Sequence, residues 1–134
     1  MGKFKVLLAT LVAVIFLAAL PGCTKTYEER LEGVWEWEDI TNINAEVIEE
    51  WHFIDNEFKI QRYNVNNMDS VWTYESGSFF VEANLFGKYL HISETTINSY
   101  NTKWDIIKLE DDILIMSNDV DGGILYKEFT KLNN

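Results

Sequence analysis

Beyond residue 30 the apolar residues of this chain recur at every second position in short runs, a period that only β-strands with one buried face can use. Runs rich in aromatic and β-branched residues fall at 33–39, 47–54, 57–65, 71–76, 78–82, 89–93, 102–108, 113–117 and 123–130, separated by Asn, Asp, Gly and Ser. No segment there sustains a 3.6-residue apolar period, and Pro21 is the only proline of the chain. Gly77 divides the fourth run from the fifth. A glycine inside a strand pattern marks a bulge, so these two are read as one bent strand and the count becomes eight. The links are short: Asp55-Asn56, then 84–88, 110–112 and 118–122, with 41–46 as a loop or a helical turn. Short links pair sequence neighbours antiparallel. Eight such strands either close into an up-and-down barrel or pack as two sheets. Closure removes the exposed edges, and an interior of this size is filled by side chains or holds one small ligand.

The chain begins differently. Lys3 and Lys5 precede an apolar run from Val6 to Leu20, broken only by Thr10, and a small-residue exit follows. That is the pattern of a secretory signal. The run covers 15 residues, whereas a retained spanning helix needs roughly 20. Leu20-Pro21-Gly22-Cys23 resembles the lipobox of bacterial lipoproteins, with Leu20 in the apolar position and Pro21 a less common occupant of its slot. The resemblance implies a signal peptide over 1–22 and cleavage before Cys23. It also implies fatty-acyl chains of the palmitate kind on that cysteine, a lipidated tether over 23–30, and one domain over 31–134. The alternative is a secreted protein with an incidental cysteine. Two or three acyl chains anchor firmly because each buried methylene contributes about 0.8 kcal/mol. The implied place is the cell envelope, on the outer membrane, at its periplasmic or its surface face. Glu28-Glu29 resembles the acidic stretch that directs some Bacteroidota lipoproteins outward, or is a solvated linker.

Composition sharpens this reading. Cys23 is the only cysteine, so acylation leaves no thiol for a disulfide, a metal or a nucleophile. Loss of Lys3 and Lys5 with the signal leaves nine basic residues against 22 acidic ones, a net charge of −13. Such a polyanion repels nucleic acid and anionic head groups, which excludes nucleic acid as a partner and leaves the lipid on Cys23 as the attachment to a bilayer. The mature part keeps five Trp, six Tyr and six Phe, a generous supply for one core.

Gly33-x-Trp35 on the first strand resembles the signature of the lipocalins and related calycin barrels. With Glu50-Trp51-His52-Phe53, Gly77-x-Phe79-x-Val81, Trp104-Asp105-Ile106 and the closing 126–131 segment, it resembles the lipocalin-like small lipoproteins of Bacteroidota. The resemblance implies an all-β, eight-stranded antiparallel barrel. In it Trp35 closes one end beneath a basic side chain of the last strand, here Lys127 or Lys131 because no arginine follows Arg62. It further implies a small hydrophobic or amphipathic ligand, with Trp37, Trp51, Phe53, Phe58, Ile60 and Arg62 as candidate contacts. The alternative is a filled barrel serving as an inhibitor or accessory subunit, its protein partner unknown.

Catalysis finds no constellation. There is no Gly-x-Ser-x-Gly elbow and no zinc-type spacing, no cofactor is expected, and His52 and His91 stand 39 positions apart on strands. Arg62 follows Phe58 and Ile60 on one strand face. It points inward to a neighbouring glutamate or a ligand carboxylate, or a bulge near residue 61 leaves it at the rim. Ser117-x-Asp119-x-Asp121-Gly122 with Glu128 resembles a calcium-binding EF-hand loop but sits between strands, where a hairpin turn explains it as well. Asp69-Ser70-Val71 resembles a Bacteroidota O-glycosylation motif, or is an ordinary turn.

Overall fold

The computed structural model describes residues 24–39 and 46–133; the signal segment, Cys23 and residues 40–45 lie outside the described residues. Eight strands form a closed barrel in chain order. They are β1 (Gly33–Trp37), β2 (Val47–Ile54), β3 (Glu57–Asn64), β4 (Asn67–Asn84), β5 (Gly87–Ser93), β6 (Lys103–Leu109), β7 (Ile113–Val120) and β8 (Gly123–Lys131). Every neighbouring pair is antiparallel, and β1 closes against β8 with Trp35 opposite Lys131 and Trp37 opposite Phe129. This is the architecture the lipocalin resemblance implies.

Alternation decides what each strand buries. On β2, Trp51 and Phe53 turn inward and are buried, as Phe58 and Ile60 are on β3. The two-residue turn between these strands places Asp55 and Asn56 at φ 53° and 62°. Left-handed residues at both positions suit the twist of a tight hairpin. The turn fixes the register, with Ile54 opposite Glu57 and Glu49 opposite Arg62.

The two runs flanking Gly77 do form one strand, and β4 changes partner beside that residue, pairing with β3 up to Ser78 and with β5 from Ser78 on. A Cβ at residue 77 would collide with the Ser93 carbonyl and with Thr95, so the close approach of β5 requires glycine there. The irregularity expected at Gly77 lies elsewhere. Ile60 faces Glu75 and Gln61 faces Thr73, which makes Tyr74 the extra residue of the pair.

A second difference concerns the segment expected as a polar tether. Residues 24–31 are helical (α1) and lie across one end of the barrel. Over the described residues this polar stretch is too short to owe its stability to its own hydrogen bonds. Packing supplies the stability, because Tyr27 and Leu31, one turn apart, meet the core and Leu31 is fully buried. The Val81 N–H donates to the Glu28 carboxylate at 3.3 Å, and the Lys88 amine lies 4.9 Å from the Tyr27 ring.

At this closed end Trp35 is wholly buried and its Nε1–H donates to the Leu31 carbonyl at 2.7 Å. Lys131 is the basic side chain above it, with Nζ 5.1 Å from the ring and donating to the Arg30 carbonyl at 3.1 Å. Gly33 has φ 134°, and a Cβ there would stand 2.7 Å from Lys131 Cε. Gly33, Trp35 and Lys131 thus act as one steric unit.

Candidate functional site

The inward faces divide the barrel into a packed floor and a polar mouth. Trp51 stands at the centre of the floor, its ring centroid 5.2 Å from Phe58, 5.1 Å from Phe129, 6.0 Å from Trp104 and 5.9 Å from Tyr100. Phe53 continues the stack toward Phe79 at 5.1 Å. Four of the six candidate contacts, Trp51, Phe53, Phe58 and Ile60, therefore belong to the packed core. Trp37 and Arg62 line the mouth cavity.

Above the floor the mouth holds charges inside the strand wall. Glu49 is buried and accepts 2.7 Å from Trp51 Nε1, 2.8 Å from Arg62 Nε and 2.6 Å from an Arg62 terminal nitrogen. The Arg62 guanidinium also stacks 3.4 Å from the Tyr74 ring centroid. Both alternatives for Arg62 are met in part: it pairs with the neighbouring Glu49, and it stands about a quarter exposed at the mouth, just past the register shift between Ile60 and Gln61 (27% side-chain exposure). Geometry of this kind compensates a buried charge far better than a single contact does.

Lys127 lies deeper in the wall of β8. Its Nζ sits 3.4 Å from the Trp37 ring centroid and 5.3 Å from that of Trp51, and the residue is 8% exposed. Its pKa is lowered to about 8, chiefly by burial; Glu49 and then Asp39 act in the opposite direction, and the Arg62 charge adds a smaller lowering. Below the same rim, Tyr100 is pushed up to about 12 by burial and then by Glu49, so its hydroxyl stays protonated. Trp104 Nε1 is the one buried side-chain nitrogen or oxygen lacking a hydrogen-bond partner among the described residues.

A cavity of about 540 Å³ opens here, between the ends of β1 and β2 and the wall of β3 and β4. Trp37, Val47, Glu49, Arg62 and Trp72 line it, together with Glu36, Glu38, Asp39, Glu46 and Ile48. The last described β1–β2 pairing is Glu36 with Glu50; beyond it the Glu38 N–H bonds to the Glu128 carbonyl of β8 instead. The strands part there, which is why side chains of both faces reach the same space. Burial raises the Glu36 pKa, helped by Glu38 and Glu50, a sign of crowded negative charge on this rim.

The loop from β5 to β6 borders the mouth and is held by Glu75. This buried carboxylate accepts from the N–H groups of Ser76, Thr96 and Ile97 at 2.9, 3.1 and 2.8 Å, and from the Thr96 hydroxyl at 3.0 Å. Burial alone would push the Glu75 pKa up. The hydrogen bonds outweigh it and hold the group below the ordinary carboxylate range.

The other singled-out residues stand apart from this site. His52 bonds to Glu50 at 3.1 Å and His91 to Glu82 at 2.8 Å, each on its own strand with no meeting across the barrel. The EF-hand-like segment is the β7–β8 hairpin, where Asp119 pairs with Ile124 and Glu128 with Ile115. That separates Asp119 from Glu128 by four steps along β8, roughly 13 Å, so Asp119, Asp121 and Glu128 do not converge on an ion. Among the described residues no three His, Cys, Asp or Glu side chains form a metal-binding group. Ser70 is exposed on β4. Cys23 lies outside the described residues.

Sequence reasoning missed Glu49, Trp72 and Glu75. A signal for Glu49 was present: a two-residue turn at Asp55-Asn56 makes paired positions sum to a constant, which sets Glu49 against Arg62. Glu75 carried no such signal, because its partners come from a loop 21 and 22 residues further along the chain. No protein-family model matches the chain, and neither does any curated protein or solved structure, so fold and site geometry carry the functional reading.

Proposed function

We propose that this protein is an envelope-anchored binding module whose barrel takes a small amphipathic molecule at its mouth. The observation that carries the reading is the mouth cavity of about 540 Å³ above a packed floor. Its size falls within the range of small-molecule sites, roughly 300–1,000 Å³. Trp37 and Trp72 supply apolar walls, and the apolar part of a ligand lies against them. The head group is cationic or uncharged. Arg62 is already engaged by Glu49, and Lys127 is outnumbered by Glu36, Glu38, Asp39 and Glu46. A carboxylate ligand would meet that negative rim. Anchoring is assigned to acyl chains on Cys23, with the barrel at the outer membrane and no reaction catalysed.

Tryptophan emission of the protein, titrated with dodecyltrimethylammonium and separately with laurate, tests the reading. The expected result is a saturable change with the cation, weakened by Trp37→Leu, and little or none with laurate. Laurate binding tighter than the cation would overturn the charge assignment. Absence of any response, together with no small molecule retained in native mass spectrometry of protein from its own host, would overturn the binding role. That outcome would favour the second reading, an interaction module, which rests on the exposed Met68, Val71, Ile124 and Tyr126 of the β3–β4 and β7–β8 hairpins beside the mouth. A Cys23→Ser protein that still carried acyl chains would refute the anchoring.

A further inference from the structure

Leu85 and Phe86, at 80% and 91% exposure, are the most exposed large apolar side chains among the described residues. They form the tip of the β4–β5 hairpin, where Asn84 pairs with Gly87. Nothing in the barrel's packing uses them. Turn chemistry does not ask for them either, since two-residue hairpin tips favour Asn, Asp and Gly. The turn is held from the side instead, by the Asn84 side-chain oxygen accepting from the Phe86 and Gly87 N–H groups at 2.8 and 3.2 Å. The result is a tip that is locally ordered and apolar.

Its position gives the tip a meaning. Val81 and Lys88, on the two arms of this hairpin, contact Glu28 and Tyr27 of α1. β4 runs three residues past Val81 before it turns, an overhang of roughly 10 Å, while Lys88 is one residue from Gly87 at the tip. An α-helix with its side chains is about 10–12 Å across. Leu85 and Phe86 therefore come level with the outer side of α1, at the end of the molecule where the described chain begins at residue 24. The 23 residues that precede it in the sequence carry the apolar run and Cys23.

We infer that Leu85 and Phe86 enter the apolar layer of the bilayer that holds the acyl chains of Cys23, fixing the closed end toward the membrane and the mouth away from it. The inference rests on the acylation reading given above. The occupant is lipid and not protein because the docked helix leaves no long linker between the anchor and the barrel, so the closed end is held near the bilayer. A protein with a net charge of −13 after signal removal gains nothing from anionic head groups. Two apolar side chains at the tip supply a contact that charge does not, and they suppress rotation about a single point of attachment.

The test uses the full acylated protein in neutral phosphatidylcholine vesicles whose acyl chains carry bromine, a short-range quencher of tryptophan. Phe86→Trp places a reporter at the tip, and Tyr126→Trp places one on the opposite, mouth-side hairpin. The expected result is a blue-shifted, quenched emission added by Trp at 86 and an unquenched one added at 126. Flotation with the vesicles and the mass of the protein are read in parallel. A parent that carries acyl chains and floats, with the reporter at 86 unquenched, overturns the tip contact and leaves the anchoring intact. A parent that neither carries acyl chains nor floats overturns both.

Discussion

Lys127 offers a measurement whose sign follows from the structure. Its amine is held inside the wall of β8 against Trp37 and Trp51, and burial lowers its pKa from 10.5 to about 8. At 1.36 kcal/mol per pKa unit, charging this amine in the folded protein costs about 3 kcal/mol more than in the unfolded chain. That shift is the whole difference between the charged and neutral amine, so it is the upper bound on what removing the charge can return. Methionine is close in length and packs well against rings, so Lys127→Met should stabilise the protein at pH 7 by about 1–3 kcal/mol, a rise in Tm of roughly 4 °C for each kcal/mol. The pH dependence is the stricter check. Below pH 8 the amine is charged in both states and the cost is fully present. Between about 8 and 10.5 the unfolded chain binds the extra proton, so the parent gains stability as pH rises. Tyrosines such as Tyr100, raised to about 12, titrate alike in parent and variant and cancel in the difference. Urea unfolding of both proteins from pH 7 to 10 should show the variant's advantage shrinking. A parent more stable than the variant at pH 7, or a gap that stays constant to pH 10, would refute the argument.

Further outcomes follow from the same geometry. Glu49→Ala removes the acceptor of both Arg62 and Trp51 Nε1 and leaves a buried indole N–H and a part-buried guanidinium without it, so it should cost about 1–3 kcal/mol by denaturant unfolding; a cost of only about 0.2 kcal/mol, within the range of exposed pairs, would place the pair in solvent. Trp35→Ala should also cost about 3–5 kcal/mol, read as a lowered Tm, because it voids the closed end and frees Lys131. Glu75→Gln should cost about 1–3 kcal/mol at pH 7. The folded pKa of Glu75 is depressed, so its contribution is present above the ordinary glutamate value and is lost as pH falls through the folded one. Parent and variant should therefore converge on acidification, which stability measurements from pH 7 downward would show.

Most of the architecture was legible because two-residue alternation is written into every strand. Residues 47–54 and 57–65 needed no tertiary information to be placed, since inward Trp51 and Phe53 and outward Glu50 and His52 are already sorted by position. Gly33-x-Trp35 likewise announced a closed end, and the choice between Lys127 and Lys131 was left to the closing register of β1 on β8. The helix over 24–31 was not legible. The described stretch is too short to display a period, and its stability comes from Tyr27 and Leu31 meeting a barrel that must exist first. The bulge at Tyr74 was equally hidden, because strands register against each other and not against their own sequence.

The same distinction governs the site. Periodicity put Phe58, Ile60 and Arg62 on one face, but a face says nothing about depth. Only the closed barrel decided that Phe58 and Ile60 fill the floor while Arg62 reaches the mouth and finds Glu49 directly opposite. The local period thus determined which way each side chain points. The non-local pairings determined what it meets, because burial and charge compensation depend on neighbours that the chain brings together only when β8 returns to β1.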